Sequence, residues 1–391
     1  MSFLASVRAS RATITIMIII GMAWGALAGL VPDVKALTGV SDAGLGSAMM
    51  FSAAGSMTAM YFAPRYFIAM QRRALPVAGL FVVAAFLYPA LAFNFATLSV
   101  ALYFLGASMG MCDINTNMRI SVIETTHKTG LMNLNHAMFS FGFGLTALAV
   151  GVARQAGYGP IEILPALALI ALVILPLSVE KAADWSDPHE HDDGSAEPQT
   201  GGVFWKVVIL TALVLFAGFV GENSTEAWSA LHIERTLGAE AGHGSYGPGV
   251  LGIVMGVGRL FGQTAANRVG EIRLIMASAI LGVFGALLIA MAWSANVVLI
   301  GVAIVAVGMA VVVPSANTVL GQRLRTRQVG FALSRAWMFG MTGFFLGPAI
   351  MGGVSEIANL RVAYGVMALI VALIIPAILA LGRVPVRTKT F

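Results

Sequence analysis

Apolar residues run along this chain in long, nearly unbroken stretches, separated by short clusters of polar ones. A helix needs about 20 mostly apolar residues to cross a bilayer, because lipid offers no partner to a free backbone amide. Twelve stretches meet that length: 12–32, 43–63, 74–93, 97–120, 132–153, 160–179, 204–228, 247–266, 273–293, 295–319, 329–353 and 362–382. They are continuous and rich in alanine and leucine, without the alternation of membrane strands, so they predict helices. The glycines within them suit close helix–helix contact.

Polar positions gather in one substantial linker, from 180 to 203, which holds seven acids and two histidines, His189 and His191. The linker divides the chain into six-helix halves, 1–179 and 204–391. It reads as a solvated cytoplasmic connector, because no rigid element there would fix a metal ligand set.

Composition agrees. Of 391 residues 58% are hydrophobic and 10% charged, against about a quarter charged in a soluble domain. The mean hydropathy is +0.88. Too few charges remain to cover a water-facing surface, which excludes a soluble enzyme, a nucleic-acid module and a disordered chain. The single cysteine, Cys112, excludes a disulfide framework and a cysteine-based metal site. Trp24, Pro32 and Lys35 follow the first stretch without a small-residue cleavage site, so no cleaved signal peptide is expected.

The basic residues set an expected orientation. With both termini inside, cytoplasmic segments hold 17 of the 23 lysines and arginines. The outer segments hold four, Lys35, Arg154, Arg235 and Arg361, while Arg259 and Arg335 fall inside spans. That bias follows the positive-inside rule, and it explains the high isoelectric point without an anionic partner.

The halves echo one another. Span four carries GMCDINTN, ending at Asn117, and span ten carries GMAVVVPSAN, ending at Asn317. After span eight comes GRLFGQTAANRVGEIR (258–273), with a degenerate counterpart between Gly55 and Arg72-Arg73. Parallel repeats around a midplane site are a recurring design of secondary transporters. The stretch Gly262…Asn267-Arg268-Val269-Gly270…Arg273 resembles the loop signature of the major facilitator superfamily. Within it the chain is most similar to the fucose–proton symporter branch and its YbjJ-like bacterial inner-membrane relatives. That similarity rests on Trp24-Gly25 with Pro32 and Lys35, on GASMGMCDINTN, on MNLNHAMFSFG (His136, Ser140, Gly142), and on GENSTEAW (Glu222, Trp228). Two positions depart: Pro32 stands where the fucose symporters have an aspartate, and Ala28 where they have a sugar-contacting asparagine. Both departures argue against fucose itself.

Ionisable residues inside spans are costly and mark candidate function. Asp113 sits in span four with no basic neighbour in sequence. Burial penalises its charged form and an approaching cation favours it, so one conformational change can load and release a proton. The alternative is a structural acid paired with Arg259 or with another helix's polar groups. Asn117, one turn on, suits hydroxyl-rich or carboxylate ligands, or a plain helix–helix hydrogen bond. Glu222 and Glu226 lie four apart on span seven, and the run ENSTE predicts an unwound or cavity-lining helix. Glu222 is a candidate for proton coupling; Glu226 is a candidate gate or a solvated helix end. Arg259 and Arg335 either bind an anionic group or brace helices near the cytoplasmic face. His136 is a relay or a packing histidine. Trp24 and Trp228, which match the family's aromatics, could stack on a sugar face, and Asn223 and Asn317 complete the candidate solute contacts. Trp337 could stack on a sugar face as well, without a family match, and for all three tryptophans the alternative is an interfacial aromatic.

The expectation is an all-α integral membrane protein of twelve transmembrane helices in two pseudo-symmetric bundles, the major facilitator fold. It would move a small polar solute, sugar-like or an organic anion, by proton-coupled symport through the bacterial inner membrane. No nucleotide-binding loop, zinc motif or hydrolase elbow occurs, so no enzyme activity, cofactor, metal or nucleic acid is expected. The partners are a small-molecule solute, protons and the lipid bilayer, and the working unit is a monomer. Efflux of amphiphiles is the alternative transport reading, and a degenerate receptor or enzyme the alternative class.

Overall fold

The computed structural model describes residues 3–180 and 201–386. His189, His191 and most of the acidic linker lie outside the described residues. Glu180, read from sequence as part of that solvated linker, is instead buried and paired with Arg119 at 2.8 Å.

Every element among the described residues is helical. A short α1 (Phe3–Ala9) leads into α2 (Arg11–Thr38), α3 (Asp42–Met70), α4 (Ala74–Ala85), α5 (Phe95–His127), α6 (Met132–Gln155) and α7 (Pro160–Ile174). After the linker come α8 (Gly202–Leu231), α9 (Tyr246–Val269), α10 (Glu271–Ala290), α11 (Ala295–Met309) and α12 (Val312–Arg323). The chain closes with α13 (Thr326–Gly340), α14 (Thr342–Ile357), α15 (Leu360–Ala372) and α16 (Ile374–Gly382).

Ten of these stretches are long and apolar enough to cross a membrane. One of them, Asp42–Leu91, has 50 residues, about twice what a bilayer accepts, and it turns at Gln71–Arg73 into two spans. Tyr246–Val269 is too polar to be counted among the ten, yet it packs between α6 and α11 as a full-length helix. The result is the twelve spans read from sequence.

Three spans are broken, two of them by proline. Pro314 cannot donate to the carbonyl of Ala310, and α11 stops there before α12 resumes; Pro376 likewise separates α15 from α16 at Leu373. The third break, between α13 and α14 at Met341, has no proline at the site. By contrast α8 is unbroken through ENSTE, so the unwinding expected there does not occur.

Within the first half α3 packs on α5 and α2 on α6; within the second, α10 packs on α11 and α15, and α8 on α13 and α14. Across the halves α6 lies along α9, α3 along α14, and α2 along α8. The α6–α9 contact is close because Gly144 faces Gly252, and a Cβ on either would strike the other's backbone.

The two ends of the bundle differ. At the end holding the described termini, Arg11 donates to the Leu177 and Val179 carbonyls and Arg323 to that of Leu381, each tying helices of one half. A small pocket of about 20 Å³ lies toward that end, lined by Asn133 of α6 and otherwise by the second half, with Arg259 and Ala266 of α9, Glu271 of α10, and Ser315 and Thr318 of α12. At the far end the halves are locked together. Arg154 ends α6 and spreads its guanidinium over Asp33 of its own half (2.6 and 2.7 Å) and Glu234 of the other (2.6 and 2.9 Å). Arg235 grips Asp42 across the halves at 2.5 and 2.6 Å, and Glu356 accepts the backbone N–H of Asp42 at 2.8 Å.

Candidate functional site

Three helices each present two polar side chains one turn apart, a spacing that places both on one face. They are Asp113 and Asn117 on α5, His136 and Ser140 on α6, and Glu222 and Glu226 on α8. The fold turns all three faces toward the junction between the halves, and α9 adds Arg259.

The side chains form a connected path. On α5 Asn117 stands one turn beyond Asp113 on the same face. His136 Nε2 lies 3.2 Å from Asn117 Oδ1. Ser140 donates to the His136 carbonyl at 3.0 Å and accepts from Arg259 Nη1 at 2.5 Å. Arg259 Nη2 donates to Glu222 Oε1 at 2.8 Å. One turn further along α8, Glu226 Oε2 accepts the indole N–H of Trp24 on α2 at 2.8 Å. The path starts in the first half, crosses to the second at Arg259 and Glu222, and returns at Trp24.

One alternative falls here: Arg259 does not pair with Asp113 but ties α9 to α8 through Glu222 and to α6 through Ser140. No lysine or arginine among the described residues lies within ion-pair distance of Asp113.

An aromatic wall stands beside the path. Trp24 stacks on Phe344 of α14 with ring centroids 6.1 Å apart and planes 27° apart. Phe344 meets Phe219 of α8 edge-on, and Phe219 meets Trp337 of α13. Trp337 in turn donates its N–H to Asn317 Oδ1 of α12 at 3.1 Å. Asn317 therefore reaches the site through the wall rather than through the charged path, and Trp337 is part of the wall. Arg335, two residues before Trp337 and so on the other side of α13, lies over the Phe331 ring at 4.8 Å and joins neither group.

Two residues of α8 are placed differently from the rest. Trp228 is fully buried, on the helix face that carries Thr225 and His232, whose side chains touch Met367 and Tyr364 of α15. It fills the interior of the second half and stacks on nothing at the junction. Asn223 is 1% exposed, and neither its Nδ2 nor its Oδ1 has a partner. Its place on α8 lies between Phe219, one turn before, and Glu226, one turn after.

Sequence reasoning missed the far-end lock. Asp33, Asp42, Glu234 and Glu356 each look like a solvated acid at a helix end, and the bonds that join them across the bundle span 80 to 314 residues. Ser140, Phe219 and Phe344 were likewise not singled out for contact.

A multi-pass helical membrane protein, with acids, an arginine and aromatics lodged where two bundles meet, has the architecture of a solute carrier. The chain belongs to the Major Facilitator Superfamily, whose model matches residues 13–339 and again 265–391. It is 28% identical over 371 residues to an MFS-type transporter of Yersinia pestis described as uncharacterised, covering 93% of this chain and 94% of the relative. It is 27% identical to the membrane protein MosC of Rhizobium meliloti, covering 87% and 82% of the two chains. Among solved structures, the nucleoside transporter NupG superposes with a TM-score of 0.68 at 12% identity, over 96% of this chain and 99% of that one. A bacterial homologue of the human lysosomal transporter Spinster gives 0.63 at 16%, over 98% of each. At such identities these two likenesses show the fold. Family and relatives alike are transporters, not enzymes.

Proposed function

We propose that this chain is a proton-coupled symporter of a small polar solute, working as a monomer by alternating access in the bacterial inner membrane. Its moving parts are the halves 1–179 and 204–391, joined by the cytoplasmic linker 180–203. The motifs around Trp24, Asp113, His136 and Glu222 support a place near the fucose–proton symporter branch, with Pro32 and Ala28 pointing to a solute other than fucose.

The observation that carries this reading is the path from Asn117, one turn from Asp113 on the same face of α5, through His136 and Arg259 to Glu222. It links an acid without a cation partner in one half to an ion pair of the other, whose arginine also reaches back to Ser140 of the first. Asp113 takes and releases the proton, since no fixed cation holds it ionised. Glu222 and Arg259 report that change to the other half, because any rearrangement at His136 or Ser140 moves the donors' partners. Trp24, Asn117, Asn223 and Asn317 contact the solute. Trp228, buried in the second half, is left to packing.

The 17-to-4 charge bias supports placing the end with the termini in the cytoplasm. The lock at the far end then describes a carrier closed to the outside. The test is uptake into proteoliposomes of a radiolabelled solute chosen by thermal-shift screening, under an imposed pH gradient. Accumulation that collapses with an uncoupler is expected; uptake indifferent to the gradient overturns the proton claim.

A further inference from the structure

The charges at the junction do not balance. Asp113, Glu222 and Glu226 face one permanent cation, Arg259, and that cation is taken by Glu222. If Asp113 carries the coupling proton, a role that rests on the symport reading above, one carboxylate remains: Glu226. Its Oε2 accepts from Trp24, and its other oxygen has no hydrogen bond among the described residues. The carboxylate is 4% exposed and has no cation within ion-pair distance.

The surroundings of Glu226 are those of a cation site. The ring of Trp24, whose N–H holds Glu226, stacks on Phe344, and Phe219 closes edge-on against Phe344. An ammonium is attracted both by a carboxylate and by the face of an aromatic ring. Between Phe219 and Glu226 sits Asn223, buried, with both ends of its amide unpaired. A buried amide left unpaired costs stability, so its neighbours on this helix face point to a ligand that supplies a donor and an acceptor. A hydroxyl group does both. An anion would meet three carboxylates and one arginine already paired, which weighs against the organic-anion expectation drawn from sequence.

We infer that the transported solute carries a protonated amine, received by Glu226 against Trp24 and Phe344, together with hydroxyl groups that satisfy Asn223. Glu226 is then a specificity-determining residue. The three acids divide the work: Asp113 handles the proton, Glu222 the ion pair with Arg259, and Glu226 the substrate charge.

The test is binding to the purified full chain, in detergent and without any gradient, of matched ligands. The panel takes a hexose ring, a cyclitol and an arylethyl group, each in neutral, amine and carboxylate form, at a pH where the amines are charged. Amine forms are expected to raise the melting temperature and carboxylate forms to leave it unchanged. Glu226→Gln should weaken amine binding about thirtyfold or more, as loss of one partner of a buried charge pair does. Glu226→Asp, which keeps the charge and draws it back by one methylene, should weaken amines while retaining their advantage over the neutral forms. It serves alone if Glu226→Gln does not fold.

Stronger binding of carboxylate forms, equal binding of neutral forms, amine binding untouched by Glu226→Gln, or no binding by any member overturns the proposal. So does loss of the amine advantage in Glu226→Asp. Failure of proton coupling reads out separately, as an amine that binds yet is not accumulated under a pH gradient.

Discussion

Arg259 Nη2 lies 2.8 Å from Glu222 Oε1, at the level where the two halves meet, and this pair is the only intramembrane ion pair among the described residues that sits on the path to Asp113. The same guanidinium reaches Ser140 Oγ at 2.5 Å in the opposite half. One side chain thus holds an acid of α8 and a hydroxyl of α6 together. A carrier that rocks its halves must either break one of these bonds or move all three residues as a body.

Glu222→Gln leaves a largely buried guanidinium with a neutral partner. The two side chains are only 17% and 13% exposed, so the variant should lose about 3 kcal/mol, read as an earlier melting transition in detergent. Adding Arg259→Gln should restore most of that loss, because no unpaired charge remains. A double mutant no more stable than Glu222→Gln alone would mean the pair does not govern stability.

Asp113→Asn behaves in the opposite way. With no cation at ion-pair distance, neutralising this acid strands nothing, and the variant should melt at or above the wild-type temperature. Equilibrative exchange should persist while gradient-driven accumulation is lost. Proteoliposomes report both activities, and accumulation at wild-type levels would remove Asp113 from the proton step.

How much of this was legible in the sequence follows from the range of each interaction. The twelve spans are local: hydrophobic length alone shows them, apart from the breaks after Met309, Gly340 and Ala372, two of which required attention to a proline four or five residues on. The paired positions 113/117 and 222/226 are local too, since helical spacing puts each pair on one face. Which face meets which is not local. Arg259 belongs to Glu222 instead of Asp113 because α9 packs on both α6 and α8, and nothing within nine residues of Arg259 states that. Trp228 and Trp24 look alike in sequence, yet one fills the interior of α8 against α15 and the other closes the junction. The far-end lock is the extreme case, because its acids sit where any solvated helix end would put one.

The repeat makes its own prediction at the turns after the second span of each half. In the second half Gly270 takes φ 82°, and α9 gives way there to α10. At the matching turn Gln71 takes φ 47° and ψ −127°, a left-handed conformation that a side chain resists. Gln71→Gly should therefore stabilise the protein by about 1 kcal/mol, and Gly270→Ala should cost about as much although no atom lies near its Cβ position. Melting temperatures of the two variants check the pair; shifts of the same sign in both would contradict it.

The far-end lock bears on transport directly. Arg154 is 3% exposed and carries two carboxylates, Asp33 from its own half and Glu234 from the other, with further bonds to the Gly29 carbonyl and to Ser245 Oγ. Remove its charge and two acids face each other without a cation, which favours parting of the halves at this end. Arg154→Gln should weaken the present conformation by about 3 kcal/mol relative to one open at the far end, a shift of about a hundredfold in their ratio. Leu148, which packs against Gly249 in the α6–α9 contact, reports the change. A cysteine there, in a Cys112→Ala background, should label slowly with an impermeant maleimide from the far side, and much faster once Arg154→Gln is added. Lys35 and Arg235 both stay on Asp42, so the second cross-half tie survives in the variant and folding is retained. Arg154→Lys keeps the charge but not the fork, and should fall between the two. If labelling of the reporter is unchanged by Arg154→Gln, the arginine is a structural tie and the opening of this end is controlled elsewhere.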